Sequence, residues 1–367
     1  MPLPPLVEPV ESLSAAERAR TARHAVLAGF GELGQRRLAA AHVAVVGAGG
    51  LGSPVVLALA AAGVGTLTVI DDDVVEASNL QRQVLHRLAD VGAAKTASAE
   101  RVAADLSPET RVRAVRERLD ATNAERLLSG ADVVVDGSDA FATRADVAAA
   151  CERLGVPLVW GVVQEFHAQV TVLWSQPPAG VEGIVLADLY PPETVGDVPT
   201  CAQVGVLGAL CLQVGGIMAL EVVKLVAGIG EPLLGRVVVV DALAGRQREV
   251  PLRSSRSTRP AAAPTSSRPV APHLSTAETL AAQAAGATIV DVREPHETAT
   301  GVLPGSVLVP LATLLADPAA VGPGPVVVVC QRGARAARAA GALLGVGVEA
   351  SVLAGGIEAL GPDERLA

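Results

Sequence analysis

Residues 42–73 read HVAVVGAGGLGSPVVLALAAAGVGTLTVIDDD, and the fold is decided in this stretch. HVAVVG (42–47) is a short apolar run rich in valine, the pattern of a strand buried on both faces. Gly47-Ala48-Gly49-Gly50-Leu51-Gly52 follows it and satisfies G-x-G-x-x-G. Next come an Ala/Leu segment (54–62) of helix-forming residues and TLTVIDDD (66–73), a second strand that ends in acids. The missing glycine side chains let backbone N–H groups approach an anion at the helix N-terminus. Asp71 stands where an acid binds ribose hydroxyls. On these residues alone, three readings stay open: a nucleotide site, the dinucleotide site of an NAD-dependent dehydrogenase, and a tight turn with no ligand.

Outward from this unit, ADVVVDGSD (131–139), PLVWGVV (157–163), QVTVLW (169–174) and RVVVVDA (236–242) read as further strands. A helix is expected over Ala15–Leu27 with Ser14 as N-cap, and a long apolar helix over about 205–227, after Pro199. Strands alternating with helices predict an α/β fold with a doubly wound, mostly parallel, Rossmann-like sheet. Residues 254–273, SSRSTRPAAAPTSSRPVAPH, lack apolar periodicity and read as a linker between a domain at 1–253 and a smaller one at 274–367. The smaller part repeats the α/β style, with strands at 287–294 and 325–330 and a helix at 335–347.

Composition narrows the function classes. Half of the 367 residues are hydrophobic but only 2% are aromatic, so the cores must be built from Val, Leu, Ile and Ala. A net charge of −9 argues against nucleic acid as the main partner. The four cysteines, Cys151, Cys201, Cys211 and Cys330, form no C-x-x-C pair and no disulfide framework, which fits a reducing, cytoplasmic setting. Cys151 and Cys211 sit in apolar helical patterns and read as core. MPLPPLVEPVESLS, at the N-terminus, does not read as a signal peptide, and none is expected. Two uncharged stretches, 39–70 and 205–220, are expected not to span a membrane: glycines and Pro54 cut the first, and the second falls short of the ~20 residues a span needs.

Ser78-Asn79-Leu80-Gln81-Arg82-Gln83 follows the acidic cluster, and Lys95 lies a little further on. Arg82 and Lys95 suit a triphosphate, and Asp139, at the end of a neighbouring strand, suits Mg²⁺ beside it. With the runs RTARH (20–24), GFGELGQRRL (29–38), VVGAGGLGS (45–53), AGVGTLTVIDDDVVEASNLQRQVLH (62–86), VGAAK (91–95), VDGSDAFATR (135–144) and PTCAQVGVLG (199–208), residues 20–253 resemble the ubiquitin-activating-enzyme-like adenylyltransferases that act on sulfur-carrier proteins. The resemblance implies that Gly50, Asp71, Asn79, Arg82 and Lys95 contact ATP, together with Gly47, Gly49, Gly52, Ser78, Leu80, Gln81 and Arg20. It implies that Asp139 binds Mg²⁺, that Arg82 and Asp139 serve catalysis, and that Arg23 reaches the phosphate site of the other subunit of a homodimer. The implied substrate is the C-terminal glycine of a small ubiquitin-fold carrier ending in Gly-Gly, converted to an acyl-adenylate. Cys201 matches a cysteine that can carry a covalent link; its alternative is an inert small hydrophobe. The chain departs from the family at Ala140, at Glu165, at Gln203-Val204, and at 181–192, where the paired zinc cysteines are missing, so no zinc is expected.

In the smaller part, Cys330 ends an apolar strand, and Gln331-Arg332-Gly333-Ala334-Arg335 lead into a helix. Backbone N–H groups, a helix N-terminus and the two arginines are expected to favour a thiolate or persulfide. DVREPHE (291–297), GVLPGSVLVP (301–310), C-x-x-G-x-R (330–335) and LAGGIEAL (353–360) resemble the rhodanese sulfurtransferases. Cys330 would then carry sulfur from a persulfide or thiosulfate donor, with Asp291 and Arg293 fixing the loop. Two other classes stay open: a Rossmann-type oxidoreductase, and a non-catalytic scaffold that binds the carrier.

Overall fold

A computed structural model describes residues 3–191, 205–255, 271–298, 301–331 and 333–360. They form two compact units, one with the strands up to Pro251 and one with those from His273 onward.

The first unit is built on eight strands: β1 (His42–Val46), β2 (Thr66–Ile70), β3 (Arg111–Val115), β4 (Val133–Asp136), β5 (Leu158–Gln164), β6 (His167–Leu173), β7 (Arg236–Asp241) and β8 (Arg246–Pro251). They lie in the order β3-β2-β1-β4-β5-β6-β7-β8. Pairings from β3 to β5 are parallel, and those from β5 to β8 are antiparallel. Alternate residues of β1 serve opposite layers. Val43 and Val45 pack with the helices Gly52–Ala62, Lys95–Leu106 and Gly208–Ala227, while Ala44 and Val46 pack with Phe141–Leu154. Both faces of the sheet are covered, as expected for a doubly wound fold.

The strand order reverses between β1 and β4, and ligands of open α/β sheets bind outside the carboxyl ends at such a point. The register makes those ends level: Val46 pairs with both Ile70 and Asp136. Gly47, Asp71 and Gly137 therefore leave the sheet side by side.

The structure refines the sequence reading at three points. The N-terminal helix is broken at Thr21 into Ala15–Arg20 and Ala22–Ala25, although Ser14 Oγ does cap it, accepting from Glu17 N at 2.9 Å. Strands β3 and β8 were not read from the sequence: β8, RQREVP, is exposed throughout and carries no apolar run, and β3, RVRAV, is short and only half-buried at its two valines. The uncharged stretch 205–220 is shorter than a span, but the helix that contains most of it, Gly208–Ala227, has 20 residues and is long and apolar enough to cross a membrane. Its Leu210, Val214, Met218, Val222 and Leu225 are instead buried in the first unit's core.

The second unit has strands β9 (His273–Leu274), β10 (Thr288–Asp291), β11 (Val307–Leu308), β12 (Val326–Val329) and β13 (Ala350–Leu353), all parallel, in the order β11-β10-β12-β13-β9. The helix Ala334–Gly345 follows β12 and packs Ala336, Ala339, Ala340 and Leu343 into the core.

Candidate functional site

At the switch point of the first unit lies a cleft of about 210 Å³. The glycine turn forms one wall. Gly47 has φ +85°, and a Cβ on Gly52 would stand 1.7 Å from the Gly47 carbonyl oxygen, so the turn needs glycine at both positions. Asp71 braces the turn: its Oδ2 accepts from Ala48 N at 2.7 Å and its Oδ1 from Asp73 N at 2.9 Å. From below, His86 Nε2 donates to the Ala48 carbonyl at 2.9 Å. Burial lowers the His86 pKa, and its Nδ1 is buried with no partner among the described residues.

The expected site residues divide. Gly47, Gly49, Gly50, Asp71, Arg82, Lys95 and Asp139 all line the cleft. Arg82 folds over the turn and donates from Nη1 to the Ser78 carbonyl at 3.2 Å. Lys95 is 6% exposed and its Nζ pairs with Asp73 Oδ2 at 2.7 Å. Gly52, Ser78, Asn79, Leu80 and Gln81 do not line the cleft. Gly52 closes the turn, and Asn79 Oδ1 accepts from Glu76 N at 3.2 Å, which holds the segment that carries Arg82. Arg20 is committed elsewhere: its Nε donates to Glu17 Oε2 at 2.7 Å and its Nη1 to the Ala61 carbonyl at 2.5 Å. Arg23 is exposed, makes no hydrogen bond or ion pair to the described residues, and does not line this cleft. Cys201 and the Gln203-Val204 departure lie outside the described residues.

Other lining residues were not singled out from the sequence: Asp73, Gln83, Glu117, Arg118, Arg144 and Cys211. Cys211 is core, as expected, yet its Sγ lies 3.1 Å from where a Gly50 Cβ would be. The pairing of Lys95 with Asp73 had a signal, the unbroken Asp71-Asp72-Asp73 run. These three carboxylates approach within 4.8 Å of one another, but Asp71 is engaged by N–H groups and Asp73 by Lys95. Asp139, in contrast, is exposed in the cleft and makes no hydrogen bond or ion pair to the described residues. Its hard oxygen donors, next to a cleft lined by Arg82 and Lys95, fit Mg²⁺ shared with phosphate.

In the second unit, Cys330 is 2% exposed, and its Sγ accepts from Gly333 N at 3.1 Å and Ala336 N at 3.4 Å. Gly333, φ +109°, makes the bend that turns these N–H groups inward. Arg335 couples electrostatically to Cys330 but is also paired with an acid. Arg335 is held by both oxygens of Glu297 at 2.6 Å, which raises the Arg335 pKa further and offsets its charge, while Arg332 lies outside the described residues. The wholly buried Arg293–Asp291 pair, at 2.7 Å, extends to Gln331 Oε1 at 3.3 Å and to the Gly301 carbonyl at 2.8 Å, tying the cysteine loop to the strand beside it.

A Rossmann-like sheet with a glycine turn, acids and cations converging at its switch point defines the first unit's class. The chain belongs to the ThiF family, which matches residues 21–261, and it carries a rhodanese-like domain, matched at 275–361. Over 257 residues it is 48% identical to "Probable adenylyltransferase/sulfurtransferase MoeZ" of Mycobacterium tuberculosis, covering 70% of this chain and 65% of that protein. The chain thus spans a little under two thirds of that relative's length. It is 44% identical over 246 residues to the "SAMP-activating enzyme E1" of Haloferax volcanii, covering 66% of this chain and 88% of that one. It is also 44% identical to the "Sulfur carrier protein adenylyltransferase" of Thermus thermophilus, over 63% and 86% of the two chains. Among solved structures, E. coli MccB with succinimide superposes with a TM-score of 0.55 at 23% identity, over 66% of this chain and 73% of that one, a likeness of fold.

Proposed function

We propose that this chain uses ATP and Mg²⁺ to adenylate the C-terminal glycine of a small ubiquitin-fold sulfur carrier ending in Gly-Gly, and then supplies sulfur from Cys330 to make the carrier thiocarboxylate. The observation that carries this reading is the convergence of Gly50, Asp71, Arg82, Lys95 and Asp139 on one cleft at the switch point. The name of the relative from Thermus points to the same substrate class.

In this reading the carrier carboxylate attacks the α-phosphorus of ATP, and the bond to the bridging oxygen breaks to release pyrophosphate. The glycine turn presents N–H groups to the phosphates, Arg82 and Lys95 offset the charge that develops on the leaving group, and Asp71 takes the ribose. Asp139 would hold Mg²⁺, which when bound neutralises phosphate charge. Cys330, loaded by a persulfide donor that leaves as its thiol, attacks the acyl carbon through its terminal sulfur and expels AMP. A second thiol, Cys201 being the candidate on this chain, cleaves the resulting acyl disulfide. The thiocarboxylate leaves, and an external thiol reductant reopens the disulfide that remains. Thiosulfate is the other donor class. A homodimer joined through the Arg23 region and a cytoplasmic setting belong to the same proposal; exposed Val26 and Leu27 beside Arg23 support the first.

The test is carrier-dependent exchange of pyrophosphate into ATP. The expected result is exchange with a Gly-Gly carrier and none with a carrier lacking the terminal glycine. No exchange with any such carrier would leave the chain as a carrier-binding scaffold.

A further inference from the structure

Asp139 reaches the cleft from the turn between β4 and the helix Phe141–Leu154. The next residue is Ala140, whose methyl group can anchor nothing by hydrogen bonding. The turn is nevertheless gripped, and the grip is on Ser138. Ser138 N donates to Asp136 Oδ1 at 3.0 Å, and Ser138 Oγ donates to the same oxygen at 2.6 Å. From the other side, Arg144 donates to the Ser138 carbonyl through Nε at 3.2 Å and Nη2 at 2.8 Å. All of Ser138's polar groups are thus engaged, on the residue before Asp139.

Both gripping groups are fixed. Asp136 is wholly buried at the end of β4, held level with Val46 by the sheet. Arg144 is 4% exposed, one turn into the helix, with its guanidinium 5.9 Å from the Trp160 ring centre. Asp136 Oδ2 is buried without a partner among the described residues, so the carboxylate is not distributed over competing donors. Stability alone gives no reason to keep a buried acid and a buried arginine here, since apolar packing serves stability as well or better.

We infer that Asp136 and Arg144 act through Ser138 as positioning residues that set the Asp139 carboxylate in the cleft for a divalent cation. This deepens the adenylation reading and rests on it. Groups that orient a metal ligand typically change metal affinity by about 10- to 100-fold when removed.

The experiment follows Mn²⁺ binding by electron paramagnetic resonance, with ATP present, in the full chain and in Ser138→Ala, Ser138→Thr and Arg144→Lys, with Asp139→Asn as reference. Alongside it, the Mg²⁺ dependence of carrier-dependent exchange is measured. Ser138→Ala and Arg144→Lys are expected to weaken Mn²⁺ binding about tenfold or more, toward the Asp139→Asn value. Ser138→Thr, which keeps the hydroxyl, is expected to bind as the unchanged chain does. Exchange by Ser138→Ala is expected to recover at high Mg²⁺ with the ATP KM there unchanged. Circular dichroism checks folding, and the Ser138→Thr comparison separates a lost hydroxyl from a damaged turn.

Mn²⁺ binding by Ser138→Ala and Arg144→Lys equal to that of the unchanged chain would overturn the inference. So would a loss of exchange that no Mg²⁺ concentration restores. If the unchanged chain binds Mn²⁺ through Asp139 but shows no exchange, the adenylation reading falls while the positioning role is still decided by the Mn²⁺ data.

Discussion

Two strand-to-helix turns in this chain use the same device for opposite ends. After β1, Gly47 turns the backbone at φ +85°, and after β12, Gly333 does so at φ +109°. Each turn exposes N–H groups at a helix start, where the helix dipole favours negative charge. In the first unit the N–H of Ala48 is occupied by Asp71, and space of about 210 Å³ is left beyond it for something that must come from outside. In the second unit the N–H groups of Gly333 and Ala336 close on Cys330 Sγ, a side chain of the turn's own strand. The charged groups differ accordingly. Arg82 lines an open cleft and makes no ion pair among the described residues, with Lys95 beside it paired to Asp73, whereas Arg335 is paired with Glu297. One turn leaves its N–H groups beside an open cleft, and the other closes them on a sulfur of its own strand.

The two turns should separate most clearly at Cys330. Cys330→Ala removes the atom that the second turn surrounds. Sulfur transfer to the carrier is expected to fall to background, by about four orders of magnitude or more, the scale seen when an enzyme's nucleophile is removed. Pyrophosphate exchange is expected to be unchanged, because it needs only the first turn. Thiocarboxylate formation, read by mass spectrometry of the carrier with a persulfide donor present, decides it; undiminished product would mean the two turns are not steps of one reaction.

At the first turn, Arg82→Ala is expected to lower kcat/KM for exchange by about 10²- to 10³-fold, the usual cost of removing one preorganised group facing developing charge. The effect should fall on kcat more than on ATP binding, since Lys95 and the turn's N–H groups remain. A loss confined to KM would make Arg82 a binding cation and narrow the contrast between the two turns.

How much of this was legible in the sequence follows from what each feature depends on. β1, β2, β4 and the glycine turn were readable because a buried parallel strand is rich in apolar and β-branched residues, valine above all in β1 and β4, and a turn at φ +85° has few residues to choose from. The edges β3 and β8 were not, because an exposed strand is defined by its neighbour's hydrogen bonds and not by its own side chains. The site divided the same way. Arg82, Lys95 and Asp139 stand in runs whose order carries meaning. Arg144 was not singled out, and its burial against Trp160 depends on a strand 14 residues away, since Arg144 and Trp160 meet only once β5 is in place. At Arg335 the sequence shows a cation beside a cysteine, and only the fold brings Glu297 to it as well.

The smallest effect tests what supports the first turn from beneath. Burial depresses the His86 pKa in the folded chain, so the neutral imidazole, donating from Nε2 to the Ala48 carbonyl, is the form that folding selects. A histidine with a lowered folded pKa contributes stability that is fully present above its unfolded value, about 6.5, and is lost as pH falls toward its folded value, because the unfolded chain then binds the extra proton. The first unit should therefore lose thermal stability on acidification through this window. His86→Gln keeps an N–H donor for Ala48 and cannot titrate. It is expected to lower the melting temperature slightly at neutral pH and to show a shallower acid-side decline than the unchanged chain. Parallel declines in the two proteins, followed by calorimetry, would mean that His86 is not what couples the glycine turn to pH, and would leave the turn's geometry resting on Asp71 and the glycines alone.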